Sequence, residues 1–486
     1  MSVTGYFGKI APLLATSSLL LLASCQSIQD PEISPVGSVA APPQAKPLAI
    51  WFDRPPVALF DNADPRNPDA IAKLPTWTMK TDIWEREGFP VGNGRIGAMV
   101  FGGTAHERIQ INEDTVWAGP GTKYRRIKPD ARQGIAEARQ LLWKGDYAGA
   151  EKVLAEKVLD ETVEPRSYQT LGDIMLDFDG IDETKLTDYR RELDLETAIA
   201  TTSFSQHGVT YRREVFSSAP DNALVARFEA SKPASLNFSL GLYRGNSTIT
   251  ADGRCLTMTG QAQFTGENPG TKFRTRLCVE QTNGTLSIDG GKLRVTGADN
   301  VMLIMAVQTD YNHANPSRPL DLGQTDRNAP VLKNAAATPY AQLRARHIAE
   351  YQPWFDRLKI ELDGKRGGDV PTDQLLKSYA GKQDDLGLLE LYLQFGRYLL
   401  ISSSRPGDLP ANLQGIWGDG YALPWDSDYH LDINIQMNYW LAGIGNLAEM
   451  QQPYFDYFDR LSRAGEASAR KLGMKGSMNG VTSDAY

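Results

Sequence analysis

The chain has 486 residues, 41% hydrophobic and 23% charged, an ordinary globular composition with room for two or three domains. Its net charge of −8 and the scatter of its basic residues argue against nucleic acid or an anionic membrane surface as partner. Three cysteines and five well-separated histidines show no Cys-x-x-Cys or His-x-His spacing, so neither a metal nor another cofactor is expected.

The first 25 residues read as a targeting segment. Lys9 is followed by an apolar run that ends at Ser24, too short and too early to span a membrane. Leu22-Ala23-Ser24-Cys25 resembles a bacterial lipoprotein cleavage site, at which Cys25 is acylated and becomes the mature N-terminus. An ordinary signal peptide with a chance cysteine is the alternative. Gln26 follows the cysteine where Asp would signal inner-membrane retention. The expected location is therefore the periplasm or outer membrane of a Gram-negative bacterium, with membrane contact only through the lipid. Residues 26–47 are rich in Pro, Ala and Ser and read as a flexible tether.

From Leu48 to about Asp310 the pattern is β. Runs such as RIGAMVFGG, ERIQINEDTVW, ALVARFEA, LNFSLGLY and NVMLIMAVQT are short and are separated by Gly, Asn and Asp turns, which predicts a large sandwich. Pro56 to Thr81 is polar and irregular and reads as a surface insertion. Pro129 to Leu159 has apolar residues at helical spacing with a break at Gly145-Asp146, so a helix pair interrupts the strands. Gly92, Gly94, Gly97, Gly102 and Gly103 imitate a phosphate loop but lack its Gly-Lys-Ser ending, which leaves tight turns and close packing. Asn112-Glu113-Asp114 is a possible carboxylate pair, with interdomain contact the favoured role. A hairpin around Gly266–Gly270 would bring Cys255 and Cys278 near each other; a disulfide and two buried thiols both fit.

Helical periodicity takes over after Pro339. Leu343, His347, Tyr351 and Phe355 recur every fourth residue as a buried stripe, which makes His347 a packing histidine. KIELDG reads as a short strand; Leu386 to Gly407 and Gly443 to Leu472 read as helical. Between these helices, Ser402 to Trp440 mixes Trp417, Trp425, aspartates, His430 and amides with Gly and Pro breaks. Flat aromatic faces suit the apolar face of a pyranose and planar polar groups suit its hydroxyls, so this ordered loop is the candidate site. Asp426, Asp428 and Asp432 are the candidate proton-transfer groups, although Asp at the first two positions equally serves loop structure. Trp417 and Trp425 are sugar-stacking walls or loop packing, and Arg405 is a tether.

Four ordered motifs carry a resemblance. They are FPVGNGRIGAMVFGGTAHERIQINEDTVWAG (Phe89–Gly119), YQTLGDIMLDF (Tyr168–Phe178), Tyr189 to Phe228, and Ser402 to Trp440. In this order they resemble glycoside hydrolase family 95, mostly inverting α-L-fucosidases with some α-L-galactosidases. The resemblance implies an N-terminal β super-sandwich over 48–325, a helical linker over 326–378, and from 379 the start of an (α/α)6 catalytic barrel. The length after Leu386 suits about four helices rather than twelve, so the chain resembles the N-terminal part of the family, with an incomplete barrel. The implied substrate is a fucosylated oligosaccharide or glycan, and no cofactor is implied. Asp432 and Asn434, ahead of Met437-Asn438-Tyr439-Trp440, match an Asn-x-Asn pair that helps a distant Asp hold the attacking water. Asp replaces the first Asn here; it accepts from water but cannot donate as an amide does. The family's general acid, a Glu, and its base lie beyond this segment. His430 occupies the place where His accompanies fucosidase and Thr galactosidase activity. Trp417, Trp425, Asn438 and Tyr168 complete the implied substrate-binding set. Competing readings are a non-catalytic glycan-binding or vestigial surface lipoprotein, and an α-L-galactosidase.

Overall fold

Short runs of β-branched and aromatic residues, cut by Gly, Asn and Asp, become the strands of the first half of the chain. The computed structural model describes residues 48–60, 64, 66–67, 82–118, 128–159, 166–264, 268–362, 370–382 and 385–486. The targeting segment, Cys25, the tether and most of the Pro56–Thr81 insertion lie outside the described residues.

Among the described residues the strands form two large antiparallel sheets. One has nine strands, in the order Ala49–Phe52, Thr187–Asp194, Ile199–Gln206, Val209–Ser218, Ala223–Ala230, Asn300–Thr309, Asn268–Thr282, Cys255–Phe264, Ser247–Asp252. The other has seven, from Thr285–Asp289 through Lys292–Ala298, Leu236–Tyr243, Gly172–Phe178, His106–Glu113 and Ile96–Val100 to an edge at Phe89–Gly92. The sheets bury Val91, Ile109, Ile111, Ile174, Leu240, Val215, Phe228 and Leu303 between them.

The strand Asn300–Thr309 is apolar on both faces for a reason. Val301, Leu303, Met305 and Val307 face the seven-stranded sheet, whereas Met302, Ile304 and Ala306 face outward. That outer face is covered by Leu332 and Ala335 of one helix (Asn328–Ala336) and Leu343 of the next (Tyr340–Phe355). Fully burying one such side chain stabilises by about 1.5–3 kcal/mol, so covering both faces roughly doubles what one strand contributes. Cys255 and Cys278 face each other in register on this side and are bonded as a disulfide. His347 packs here too, 4.6 Å from the Phe216 ring, with Nε2 donating to Thr197 O at 2.9 Å.

We label the helices in chain order: α1 (Asp82–Glu87), α2 (Ala131–Trp143), α3 (Tyr147–Lys157), α4 (Asn328–Ala336), α5 (Tyr340–Phe355), α6 (Thr372–Lys382), α7 (Leu386–Ser403), α8 (Asn434–Ile444) and α9 (Gln452–Lys471). Helices α2 and α3 form a hairpin whose turn uses Gly145 at φ +80, a left-handed conformation that glycine adopts without steric cost. Lys359 to Leu362 is not a strand. Its charged, alternating pattern has no partner strand among the described residues, and the segment leaves the end of α5. Helix α6 runs across residue 378, so a domain limit there falls inside a helix.

Helix α7 starts at an Asp385 cap that accepts from the N–H groups of Gly387 (3.0 Å) and Leu388 (3.4 Å). Its fully buried Arg397 donates to Phe355 O (2.8 Å), Trp354 O (3.1 Å) and Gly445 O (3.0 Å), joining the ends of α5 and α8.

The helical part rests on the sandwich through the two most conspicuous sequence motifs. A Cβ on Gly92 would stand 2.3 Å from Ser402 O, and one on Gly97 would meet Ile416 Cδ1 at 3.0 Å. Gly94 N donates to Ser402 O at 2.9 Å. The glycine-rich run therefore lets two backbones touch. Asn112 exchanges hydrogen bonds with Gly418 (3.0 and 3.2 Å), and the buried Arg108 bridges Asp173 (2.6 Å) and Asp419 (2.8 Å). Asp114 accepts from Leu409 N at 2.8 Å, and burial beside Glu113 and Asp408 holds its carboxyl well above the usual range. Asn112 and Asp114 thus act at the junction, not at an open site.

Candidate active site

After α7 the chain cannot continue as helix through Arg405-Pro406-Gly407, and residues 404–433 form an ordered loop. Arg405 pins its start by donating to Ile401 O (2.6 Å) and pairing with Glu350. Helix α8 clasps its middle. Asn438 Nδ2 donates to Asn412 O (2.9 Å), and Ala411 N donates to the Tyr439 hydroxyl (2.9 Å). Tyr429 hydroxyl donates to Pro410 O at 3.1 Å.

The turn Pro424–Ser427 follows. Trp425, Asp426 and Ser427 lie at φ 48, 57 and 47, three successive non-glycine residues in the left-handed region. Each such residue costs about 1–2 kcal/mol, so surrounding contacts must fix the turn. Tyr168 N donates to Asp426 O (2.8 Å), Asp426 N to Leu423 O (2.8 Å), and Ser427 Oγ to Gln414 Oε1 (2.6 Å). The result holds the Trp425 side chain out, 51% exposed.

Next comes Asp428-Tyr429-His430. An extended backbone puts side chains two apart on one face, and here that brings Asp428 and His430 together. His430 Nδ1 and Asp428 Oδ1 share a hydrogen bond. Asp428 is fully buried, and its Oδ2 has no hydrogen-bond partner. Burial pushes its carboxyl up to about 7; the facing His430 opposes the shift, and Asp426 and Asp484 add to it. Tyr429 and His430 pair with Ser483 and Thr482 in a two-residue ladder. The segment carrying that ladder is itself anchored, with Arg166 N donating to Asp484 Oδ2 (3.2 Å) and the Tyr457 hydroxyl to Asp484 O (2.9 Å).

The expected site residues divide into two groups. His430 is half-buried, Asp432 is exposed, and Asn434 opens α8 half-buried; together with Trp425 they stay accessible on one stretch of chain. Among the described residues, the side chains of Asp432 and Asn434 make no hydrogen bond. Tyr168, Trp417 and Asn438 are committed elsewhere. Tyr168 is fully buried with its hydroxyl donating to Ile416 O (2.7 Å), and Trp417 is buried with Nε1 donating to Val91 O (3.0 Å). Trp417 borders a cavity of about 1040 Å³ lined by Phe52, Trp84, Phe89, Leu391 and Phe395. The walls are mainly apolar, with Arg54, Glu87 and Asp373 among them, and His430 is not one of the lining residues. Sequence reasoning missed Asp484 and Tyr457, whose place depends on the tertiary ladder. It offered Asp428 as a proton-transfer group rather than a partner of His430; the spacing of two was the available signal.

Residues 70–314 match the family described as "Glycosyl hydrolase family 65, N-terminal domain", and residues 339–486 match "Glycosyl hydrolase family 95 catalytic domain". A β-sandwich packed against a helical domain is thus the plan of a glycoside hydrolase. The fold resembles a "Putative kojibiose phosphorylase from human microbiome" (TM-score 0.50, 12% identity, 90% of this chain and 54% of that one). "Alpha-L-fucosidase 2" of Arabidopsis thaliana is 36% identical over 415 residues, covering 79% of this chain and 48% of its own. "Probable alpha-fucosidase A" of Aspergillus niger is 31% identical, covering 76% and 47%. The chain belongs to glycoside hydrolase family 95. It spans about half the length of the curated relatives it matches.

Proposed function

We propose that this chain is part of an inverting exo-α-L-fucosidase that removes terminal fucose from oligosaccharides or glycans. The observation that carries the reading is the 36% identity to a protein named as an α-L-fucosidase. Supporting it, His430 is held by a buried carboxylate at an accessible edge, beside an outward Trp425 and the unengaged amide of Asn434. In this reading the Trp425 face stacks on the sugar and His430 lies beside its C5 methyl. Asn434 and Asp432 orient the attacking water, Asp432 as an acceptor only. Acid and base, which such a reaction needs on opposite sides of the sugar ring, are assigned to none of the described residues.

We further propose that the protein is exported and held at the outer membrane through an acylated Cys25. The sandwich is assigned to 48–325, and the linker and barrel portion to the residues that follow, with the limit between them outside α6.

The test of function is hydrolysis of 2′-fucosyllactose by the longer enzyme of which this chain is proposed to be part, followed by NMR; the chain by itself should release fucose at a rate near zero. Inversion requires β-L-fucose to appear first. Asn434→Ala should lower kcat far more than it raises KM, Asp432→Asn should be tolerated better than Asp432→Ala, and His430→Thr should move preference toward α-L-galactosides. If Asn434→Ala changes only KM and His430→Thr leaves the sugar preference unmoved, the assigned roles fail. The anchor is tested by uptake of labelled fatty acid, which Cys25→Ala should abolish.

A further inference from the structure

We propose that Asp428 is a positioning residue that fixes the orientation and tautomer of His430, so that Nε2 faces the bound sugar as a hydrogen-bond acceptor. The inference deepens the fucosidase reading and rests on it for the identity of the sugar.

Four observations carry it. First, the contact is directional: Nδ1 of His430 meets Oδ1 of Asp428. A neutral imidazole has one N–H, and a carboxylate holds that hydrogen on the nitrogen it faces, leaving the other nitrogen with its lone pair. Second, Asp428 is fully buried and its Oδ2 is unpartnered, so among the described residues the imidazole is the only side-chain group that satisfies this carboxyl. A buried carboxyl with an unmet oxygen costs stability, and its placement beneath an accessible histidine points to a role through that histidine. Third, both backbones are held. Asp428 N donates to Trp425 O (3.2 Å), Leu413 N to Asp428 O (3.3 Å), and Leu431 N to Val481 O (2.6 Å). Fourth, the His430 side chain is 20% exposed and has no other hydrogen-bond partner among the described residues, so Nε2 remains for a ligand.

The tautomer rests on this geometry alone, because the Asp428 carboxyl is buried among other acids. Asp426 and Asp484 face Asp428 alongside His430, and together with burial they push its carboxyl up to about 7.

The test reads the imidazole directly. In protein labelled with ¹⁵N-histidine, with His430 identified by its loss in His430→Gln, the wild type should show a protonated Nδ1 and an unprotonated Nε2. Asp428→Asn offers an amide N–H to Nδ1 and should reverse the tautomer while leaving the ring in place. Affinity for 2′-fucosyllactose, titrated on the same samples, should fall about tenfold, as expected for loss of one hydrogen bond of this kind. A wild-type His430 protonated on Nε2 overturns the proposal without any variant having to fold. So does an Asp428→Asn protein whose ¹⁵N shifts or affinity match the wild type. Expected tautomers with no binding of 2′-fucosyllactose by the wild type would instead refute fucose as the sugar.

Discussion

Gly92→Ala isolates the contact between the sandwich and the helices. Gly92 is not in the left-handed region, so alanine meets a problem of space, not of backbone conformation. The new methyl would stand 2.3 Å from Ser402 O and 3.0 Å from Ile416 Cδ1. Ordinary contact needs about an ångström more. The oxygen is backbone at the end of α7, so relief requires moving the helix end or the edge strand. Overpacking of this kind costs about 1–3 kcal/mol. The shift also strains the Gly94 N to Ser402 O bond, worth about 0.5–1.5 kcal/mol. Against this, alanine stiffens the unfolded chain and returns about 0.4–1 kcal/mol. The net expectation is a loss of roughly 2 kcal/mol. Gly396→Ala is the contrasting substitution. It lies within α7, where its methyl would meet a single atom at 3.4 Å, an ordinary contact. There the exchange should stabilise by about 0.5–1 kcal/mol. Urea unfolding followed by tryptophan fluorescence reads both. A Gly92→Ala protein whose midpoint equals or exceeds the wild type, with unchanged slope, would refute the packing argument.

Three more outcomes follow from described contacts. The Cys255–Cys278 disulfide closes a separation of 23 residues; reduction or Cys278→Ser should cost about 3 kcal/mol, measured by denaturation with and without reductant. Burial lowers the His347 pKa to about 4 from its ordinary 6.5. The stability it contributes is complete above that ordinary value and is lost as pH falls toward 4, by up to about 3 kcal/mol. Glu107 and Asp408 act in the opposite sense, since burial pushes both up to about 7 and stability falls as pH rises from the ordinary carboxyl range through that value. Two carboxyls outweigh one imidazole, so these three groups together should make the unfolding free energy fall as pH rises from 4 to 8, and His347→Gln should steepen the fall between pH 4 and 6.5. Arg397→Met should cost at least about 2 kcal/mol, because the carbonyls of Trp354, Phe355 and Gly445 each lose a charged donor.

The sandwich was legible wherever strands alternate or end in Gly-Asn-Asp turns, and also at Val301–Val307, where the unbroken apolar run signals burial on both faces. The stripe Leu343-His347-Tyr351-Phe355 was equally legible, because a helix of period 3.6 buries every fourth residue. KIELDG misled, since alternation describes a strand only if a neighbouring strand supplies hydrogen bonds. In the candidate site, the fate of Tyr168 and Trp417 could not be read from residue type. A tyrosine or tryptophan carries one apolar body and one polar handle, and only the fold decides whether that handle meets a sugar or Ile416 O and Val91 O. His430, Asp432 and Asn434 were legible as a group because they lie within one short stretch. The partnership of Asp484 and Tyr457 with that stretch required the tertiary ladder.

The edge strand Phe89–Gly92 carries a consequence for how the protein is made. Its outer groups are satisfied by residues far along the chain: Val91 O by Trp417 Nε1, 326 positions later, and Pro90 O by the Tyr398 hydroxyl. At a synthesis rate of about 5–20 residues per second, that partner emerges on the order of 20–60 s after the strand does. During the interval the sandwich presents an open, partly apolar sheet edge, the feature that most readily recruits another chain. A sandwich produced alone, ending before Leu386, would lack both partners, keep that edge permanently bare and should self-associate.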